Sequence, residues 1–160
     1  ISLAEDSKLY LDITEFNPYN LFEEVYESYS DRSTSEQKEI LFNKNKYDVS
    51  IIKTDKTLLR RVLSNLVKNA LEASKSGEKV TLDIEEFDTS IIFSVNNESV
   101  MRKDIQLQIF QRSFSTKGSG RGIGTYSVKL LTENYLKGEV SFFSTVEYGT
   151  TFYITIPKNI

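Results

Sequence analysis

The chain has 160 residues, of which 39% are hydrophobic and 27% charged, enough for one compact domain and too few for two ordinary ones. It contains no cysteine and no histidine, which excludes disulfides, thiolate or imidazole metal sites, and catalytic triads built on histidine. The net charge of -3, with Lys and Arg spread along the chain, gives no basic patch of the kind that binds nucleic acid.

The first residues are polar and weakly periodic, with isolated leucines at Leu3, Leu9 and Leu11. They lack the basic stretch and apolar core of a secretory leader, and no apolar run approaches the roughly 20 residues of a membrane helix. We therefore expect residues 1–15 to be the end of an upstream helical domain with its linker, and residues 16–160 to form one domain. A cytoplasmic location without membrane contact by this part follows, whether or not a longer parent protein is membrane-anchored.

Hydrophobic periodicity predicts the first half of the domain. Apolar residues at steps of three and four after Pro18 predict a helix to about residue 30, and short strands are expected at 39–43 and 49–53. Asp55 is a candidate N-cap for a helix over 56–74, which has a broad apolar stripe and is followed by Gly77.

The second half of the domain again combines pairs of strands with a helix. A hairpin is expected from strands 79–87 and 90–96, then a long loop over 97–121 with a helical turn around 104–110. A helix over 123–136, capped by Gly138, and strands at 139–145 and 150–156 complete the chain. This order predicts an α+β fold, a two-layer sandwich whose mixed, mostly antiparallel sheet is covered on one face by three helices.

Two asparagines on the helix over 56–74 form the first candidate site. Asn65 and Asn69 are four residues apart and share a helix face, with Asn69 at the edge of the apolar stripe. Amide oxygens are hard neutral ligands that suit Mg²⁺ when phosphates supply the remaining ligands. Two solvated surface asparagines would give the same pattern.

Four of the seven glycines lie within residues 117–124, KGSGRGIG, directly before a helix. Such a run lets backbone N–H groups approach phosphate oxygens at a helix N-terminus. No strand leads into it and no Lys-Ser/Thr follows it, so neither the dinucleotide fingerprint nor the P-loop fits. A flexible loop followed by a helix cap is the alternative.

The motifs together resemble a known family. Residues 65–73, NLVKNALEA, resemble the N box of the ATP-binding fold that sensor histidine kinases share with gyrase, Hsp90 and MutL. Residues 109–117, IFQRSFSTK, resemble the F box, residues 120–124, GRGIG, the second glycine box, and residues 149–152, GTTF, the closing strand. The order and spacing match over roughly residues 18–157.

The resemblance implies a site that binds ATP and Mg²⁺. Asn69, together with Asn65, would hold the metal, and Asn65 and Lys117 are the catalytic candidates. Phe110 and Phe114 would anchor a lid, Asn97 would accept from the adenine amino group, and Thr150 would support adenine through water. The implied nucleotide-binding residues are Asn69, Asn97, Phe110, Phe114, Thr116, Lys117, Gly118, Gly120, Gly122, Ile123, Gly124 and Thr150.

Two positions depart from the family pattern. Where the family has Asp-x-Gly-x-Gly, residues 97–101 read NESVM, which predicts a weaker hydrogen bond to adenine. Glu72 stands where many histidine kinases carry a lysine directed at the phosphates, a role that Lys117 would take over.

Asn65 favours the kinase branch, because gyrase-like and Hsp90-like ATPases place a water-activating glutamate there and an amide cannot accept a proton. The implied reaction transfers the γ-phosphoryl group to a histidine of the upstream helical domain, and a response regulator is the expected partner. This piece is expected to be a monomer and its parent a homodimer. The alternatives are a gyrase-type ATPase, a serine kinase of the anti-sigma type, and a nucleotide-binding module with weak or lost kinase activity.

Overall fold

The computed structural model describes residues 10–43, 49–111 and 122–160. The strands are β1 Ile13–Phe16, β2 Glu39–Phe42, β3 Ile52–Asp55, β4 Lys79–Glu86, β5 Ser90–Asn97, β6 Glu139–Thr145 and β7 Gly149–Pro157. The helices are α1 Pro18–Ser35, α2 Lys56–Ala73, the short α3 Lys103–Gln106 and α4 Gly122–Leu130, which continues into a π-helical turn, Leu131–Tyr135. Among these, no helix combines the length and the hydropathy that a membrane span requires.

The main sheet has five strands in the order β2-β4-β5-β7-β6. Only β2 and β4 pair in parallel, and every other neighbouring pair is antiparallel. This is the mixed, mostly antiparallel sheet that the alternation of strand pairs with helices predicts. The two-layer α+β fold class is therefore confirmed.

One face of the sheet carries the core. Strands β4, β5 and β7 bury alternate residues, as period-two strands covered on one side do, and α2 buries eight apolar residues against them. Phe22 of α1 meets Phe93 of β5 edge to face, with ring centroids 5.4 Å apart, which places α1 on the same face. Helix α4 contributes the fully buried Val128.

Helix α1 is longer than its apolar pattern predicts. Asn17 caps it by accepting from the N–H groups of Tyr19 and Asn20, and Pro18 takes the first helical position, as expected. The helix continues to Ser35 through a polar second half, in which the hydroxyl groups of Ser33 and Thr34 donate to the Ser30 carbonyl of the preceding turn. Hydrophobic periodicity carries no signal in such a segment.

The segment before α1 is a strand and not a helix over residues 13–15. Strand β1 pairs antiparallel with β3, with Ile13 opposite Asp55. Strand β3 itself begins at Ile52, three residues later than predicted, and belongs to this two-stranded sheet and not to the sheet that contains β2. The predicted domain boundary after residue 15 falls within β1, and the assignment of residues 1–15 to another domain remains a prediction.

The glycines that were expected to end helices act differently. Helix α2 ends at Ala73, and Gly77 lies in the following turn with φ +91°. After the π turn, Lys137 adopts the positive φ of 61°, whereas a Cβ on Gly138 would overlap the backbone oxygen of Thr155. The i→i+5 bond from Leu136 to Leu131 lets both leucines be fully buried.

Candidate functional site

Helix α2 positions the two asparagines. Asp55 starts the helix by accepting from the N–H of Leu58 at 2.9 Å, and its other carboxylate oxygen accepts from the N–H of Asp12. Asn65 and Asn69 are both half-buried beside the fully apolar stripe. Within the described parts of the chain, their amides form no hydrogen bond with another side chain.

The N-terminal turn of α4 lies against Asn69. Gly124 belongs to this turn, and a Cβ built on it would stand 3.9 Å from the Asn69 Nδ2 atom. The first N–H groups of a helix have no intrahelical partner and attract anions. The structure thus brings together an amide that can bind a cation and backbone donors that can bind a phosphate.

Five of the predicted site residues lie outside the described residues: Phe114, Thr116, Lys117, Gly118 and Gly120. Gly122 and Ile123 are described only as the first residues of α4. The predictions made for the glycine run therefore remain predictions, apart from the position of Gly124.

Phe110 fixes the segment that follows α3. Its ring meets Phe142 at 5.9 Å and Phe152 at 6.2 Å between centroids, and Lys129 of α4 lies 5.4 Å from it. These contacts attach Phe110 to the side chains of β6, β7 and α4. Arg102 and Asp104 form an exposed ion pair just before this segment. The hydrogen bonds from Arg102 lower the pKa of the Asp104 carboxyl.

Asn97 and Thr150 lie side by side at the other end of the site. They are register partners on β5 and β7, and are only 5% and 3% exposed. The Asn97 Oδ1 accepts from the Ser99 N–H at 3.0 Å, and the Thr150 hydroxyl donates to the Ser99 carbonyl at 2.7 Å. Thr150 therefore stabilises the loop after β5, a contact that the sequence did not reveal.

Side-chain hydrogen bonds hold the loop that replaces the glycine-rich motif. The Ser99 hydroxyl donates to the Ala73 carbonyl at 2.8 Å, and the Met101 N–H donates to the Ser144 hydroxyl at 2.8 Å. Glu98 accepts from the N–H of Lys79 at 2.7 Å. The loop is thereby attached to the end of α2, to β4 and to β6. The roles of Ser99 and Ser144 in holding it were missed by sequence reasoning.

Glu72 faces helix α1. Its carboxylate lies 3.8 Å from Arg32 of α1, and only 12% of the side chain is exposed. The position that carries a lysine in many relatives of the resembled family therefore connects two core helices here.

A family model described as "Histidine kinase-, DNA gyrase B-, and HSP90-like ATPase" matches residues 54–160. That range contains α2, α4 and every strand from β4 onward. It includes both ends of the candidate site.

Curated relatives match the same region. "Histidine protein kinase SaeS" of Staphylococcus aureus strain USA300 is 30% identical over 112 residues, which cover 64% of this chain and 32% of the relative. "Sensor protein DegM" of Bacillus sp. strain B21-2 is 31% identical over 109 residues, 68% of this chain and 29% of the relative. The chain thus matches about a third of the length of these relatives.

Solved structures agree in fold. The nucleotide-free catalytic domain of histidine kinase ThkA superposes with a TM-score of 0.84 at 28% identity, covering 93% of this chain and 97% of that domain. ThkA in complex with the response regulator protein TrrA gives a TM-score of 0.82 at 28% identity, covering 98% of this chain and 45% of that one. The described fold therefore matches that isolated catalytic domain nearly end to end.

Proposed function

This chain belongs to the histidine kinase-, DNA gyrase B- and HSP90-like ATPase family, and from that premise we propose that it is the nucleotide-binding half of a sensor kinase. It binds Mg·ATP and transfers the γ-phosphoryl group to a histidine on a separate dimerisation domain. The bond between the γ-phosphorus and the bridging oxygen breaks, a phosphorus–nitrogen bond forms, and ADP leaves.

The observation that carries the proposal is the approach of Gly124 to Asn69. Backbone donors of α4 would bind the phosphates from one side, and the Asn69 oxygen would hold the metal from the other. When bound, Mg²⁺ would neutralise part of the negative charge of the phosphates.

Asn65 supports transfer over hydrolysis. It lies one helical turn before Asn69 on the same face, where a general base for water would stand in a hydrolase of this family. An amide cannot accept a proton at neutral pH, so water is not activated and the γ-phosphoryl group is kept for the histidine. Lys117, from the glycine run, would supply a movable positive charge to the terminal phosphate.

The partners follow from the same proposal. The phosphoacceptor cannot be in this chain, which has no histidine, so it lies on a separate helical domain. A response regulator then accepts the phosphoryl group, as the complex of the similar kinase ThkA with TrrA suggests. These reactions belong to the cytoplasm, where ATP is abundant.

Calorimetric titration with a non-hydrolysable ATP analogue tests binding. We expect Mg²⁺-dependent binding by the wild-type chain and at least about a tenfold weaker affinity for Asn69→Ala, which corresponds to about 1.4 kcal/mol. Asn134→Ala, at an exposed position of the π turn, is the matched control and should bind normally. No binding at millimolar ligand would overturn the assignment.

Transfer requires the longer parent protein. Incubation with labelled ATP should place acid-labile, base-stable phosphate on a histidine, and Asn69→Ala should abolish the label. Label that survives acid would indicate a hydroxyl acceptor and a serine kinase. Rapid ATP hydrolysis by the isolated chain without transfer would indicate an ATPase.

A further inference from the structure

Strand β6 forms an open edge of the main sheet. It pairs with β7 on one side, and among the described residues no strand lies on its other side. The bond from the Phe87 N–H to the Ser90 carbonyl sets the alternation of hydrogen bonds across β4, β5, β7 and β6. This alternation directs the backbone N–H and C=O groups of Val140, Phe142 and Ser144 away from β7. In the described part of the chain these groups have no backbone partner.

The edge lacks the features that usually protect an edge strand. Residues 140–146, VSFFSTV, contain no charge and no proline. Phe142 packs on the helix-covered face, so Phe143 lies on the open face, where it is 60% exposed. Natural edge strands are commonly short or carry lysine or proline, and β2 at the opposite edge has only four residues. The seven residues of β6 are therefore suited to pair with another strand.

Charged residues flank this uncharged stretch. Lys137 and Glu139 precede it, and Glu147 lies in the turn that follows. All three side chains are exposed, and within the described ranges no ion pair engages them.

These charges favour one register between two copies of the strand. Antiparallel pairing over the full length of β6 places Phe142 opposite Phe142 of the second copy, and brings Lys137 of each copy next to Glu147 of the other. A pairing displaced by two residues, centred on Phe143, would place Glu139 opposite Glu147, and like charges directly opposite are destabilising.

We propose that this chain pairs with a second copy of itself through β6, antiparallel and centred on Phe142, so that the two five-stranded sheets become one continuous sheet. The outward groups of Val140 and Ser144 then bond those of Ser144 and Val140 of the second copy. The two Phe143 rings become diagonal neighbours on the open face, where each shields the other from water. An ion pair between Lys137 and Glu147 closes each end.

The association of the isolated chain should be weak. One pair of strands buries less than the roughly 1,200 Å² of a stable complex, and exposed ion pairs contribute little. In the homodimeric parent that the proposed function implies, tethering gives the two copies an effective concentration of about millimolar, which favours such a pairing. The inference itself does not depend on nucleotide binding. It differs from the monomer that the sequence predicts for this piece, and the association state decides between them.

Sedimentation equilibrium of the wild-type chain, up to about millimolar concentration, tests the proposal. We expect a monomer–dimer equilibrium. Lys137→Glu and Glu147→Lys should each raise the dissociation constant of the dimer about tenfold, because each places like charges at both ends of the strand pair. The double variant restores both attractions and should return the constant to within about threefold of wild type.

Lys75→Glu and Asp88→Lys make the same changes of charge at exposed positions in other turns, and should leave the constant unchanged. Amide hydrogen exchange supplies a second measurement: the N–H groups of Val140, Phe142 and Ser144 should exchange more slowly as the protein concentration rises. A wild-type chain that stays monomeric to millimolar concentration would overturn the inference. So would a dimer whose dissociation constant is the same in both single variants and the double variant, because its interface would lie elsewhere.

Discussion

Replacing Gly124 by alanine should change the stability of the fold and the affinity for the nucleotide in opposite directions. It lies in the first turn of α4 with an ordinary helical backbone, and the nearest atom to an added Cβ is the Asn69 Nδ2 at 3.9 Å. Gly124→Ala should therefore raise the free energy of unfolding by about 0.5–1 kcal/mol, because alanine loses less backbone entropy in a helix. It should also weaken the Mg·ATP analogue about tenfold, because the methyl group takes space between the helix N–H groups and Asn69.

Urea unfolding and calorimetric titration of the same protein measure the two effects. Thr57→Ala, at an exposed position in the first turn of α2, is the control: it also favours helix, but it lies far along α2 from Asn69 and should leave affinity unchanged. Unchanged nucleotide affinity in Gly124→Ala would mean that the phosphates do not lie between α4 and Asn69.

At this scale the sequence predicted the residues with a local signature. Asn65 and Asn69 were predictable because four-residue spacing on a helix is a local property. Ser99 was not, because its partners Ala73 and Thr150 are 26 and 51 residues away in the chain. The weaker adenine site that the loss of the glycine motif predicts stays a prediction; what the sequence did not predict is that hydrogen bonds from Ser99 and Met101 hold this loop.

The turn between β6 and β7 depends on one glycine. Gly149 has φ +74°, and a Cβ there would overlap the backbone oxygen of Asn97 and lie 2.8 Å from the Glu98 Cα. Gly77, with φ +91°, has nothing within 4 Å of its Cβ position. The two glycines thus share a left-handed backbone and differ in their surroundings.

Gly149→Ala should consequently cost more stability than Gly77→Ala. We expect about 1 kcal/mol for Gly77→Ala, from backbone strain alone, and at least about 2 kcal/mol for Gly149→Ala, where the end of β5 must also move. Displacement of Asn97 should weaken nucleotide binding in Gly149→Ala only. Urea unfolding curves and the same titration measure both quantities, and equal losses of stability would contradict the close packing of β7 on β5.

Most elements were predictable from periodicity, and the exceptions have physical reasons. Helix α2 and the strand pairs β4–β5 and β6–β7 have strong local patterns, and their bounds differ from the prediction by one residue or less. Strand β1 was missed because a four-residue edge strand has little periodicity. Its pairing with β3 also depends on Asp55, which accepts from the Asp12 N–H and is 43 residues away from Asp12 in the chain. The pairing of β3 in a separate sheet is likewise a tertiary property.

The last residues of the chain connect the two sheets. The Lys53 N–H of β3 donates to the Lys158 carbonyl at 2.7 Å, and the Ile160 N–H donates back to the Lys53 carbonyl at 3.2 Å. The Lys158 ammonium then reaches the Glu86 carboxylate at the end of β4 at 2.6 Å, and that carboxylate also accepts from the Ser50 hydroxyl. The ion pair therefore joins the ends of β4 and β7 within the main sheet, and the Ser50 bond to the same carboxylate attaches the segment before β3 to it.

Stability in acid should reveal this link. The hydrogen bond from Lys158, and then that from Ser50, lower the pKa of Glu86 from 4.5 to about 2. A lowered carboxylate pKa stabilises the folded state above pH 4.5, and that contribution is lost as the pH falls from 4.5 through 2. Glu86→Gln should lower the free energy of unfolding by about 1 kcal/mol at pH 7, a value kept small by solvent screening, and should differ little from wild type near pH 2.

Urea unfolding of wild type and Glu86→Gln at pH 7, pH 4 and about pH 2.5 measures the difference between their free energies of unfolding. This difference should become smaller as the pH falls. Glu147→Gln, in the exposed turn before β7, removes the same charge without touching Lys158 and controls for the change in net charge. Lys158→Met, which removes the partner and keeps a long side chain, should reproduce the loss at pH 7. A constant difference in the free energy of unfolding between wild type and Glu86→Gln across this range would show that the carboxylate is not stabilised by its pairing.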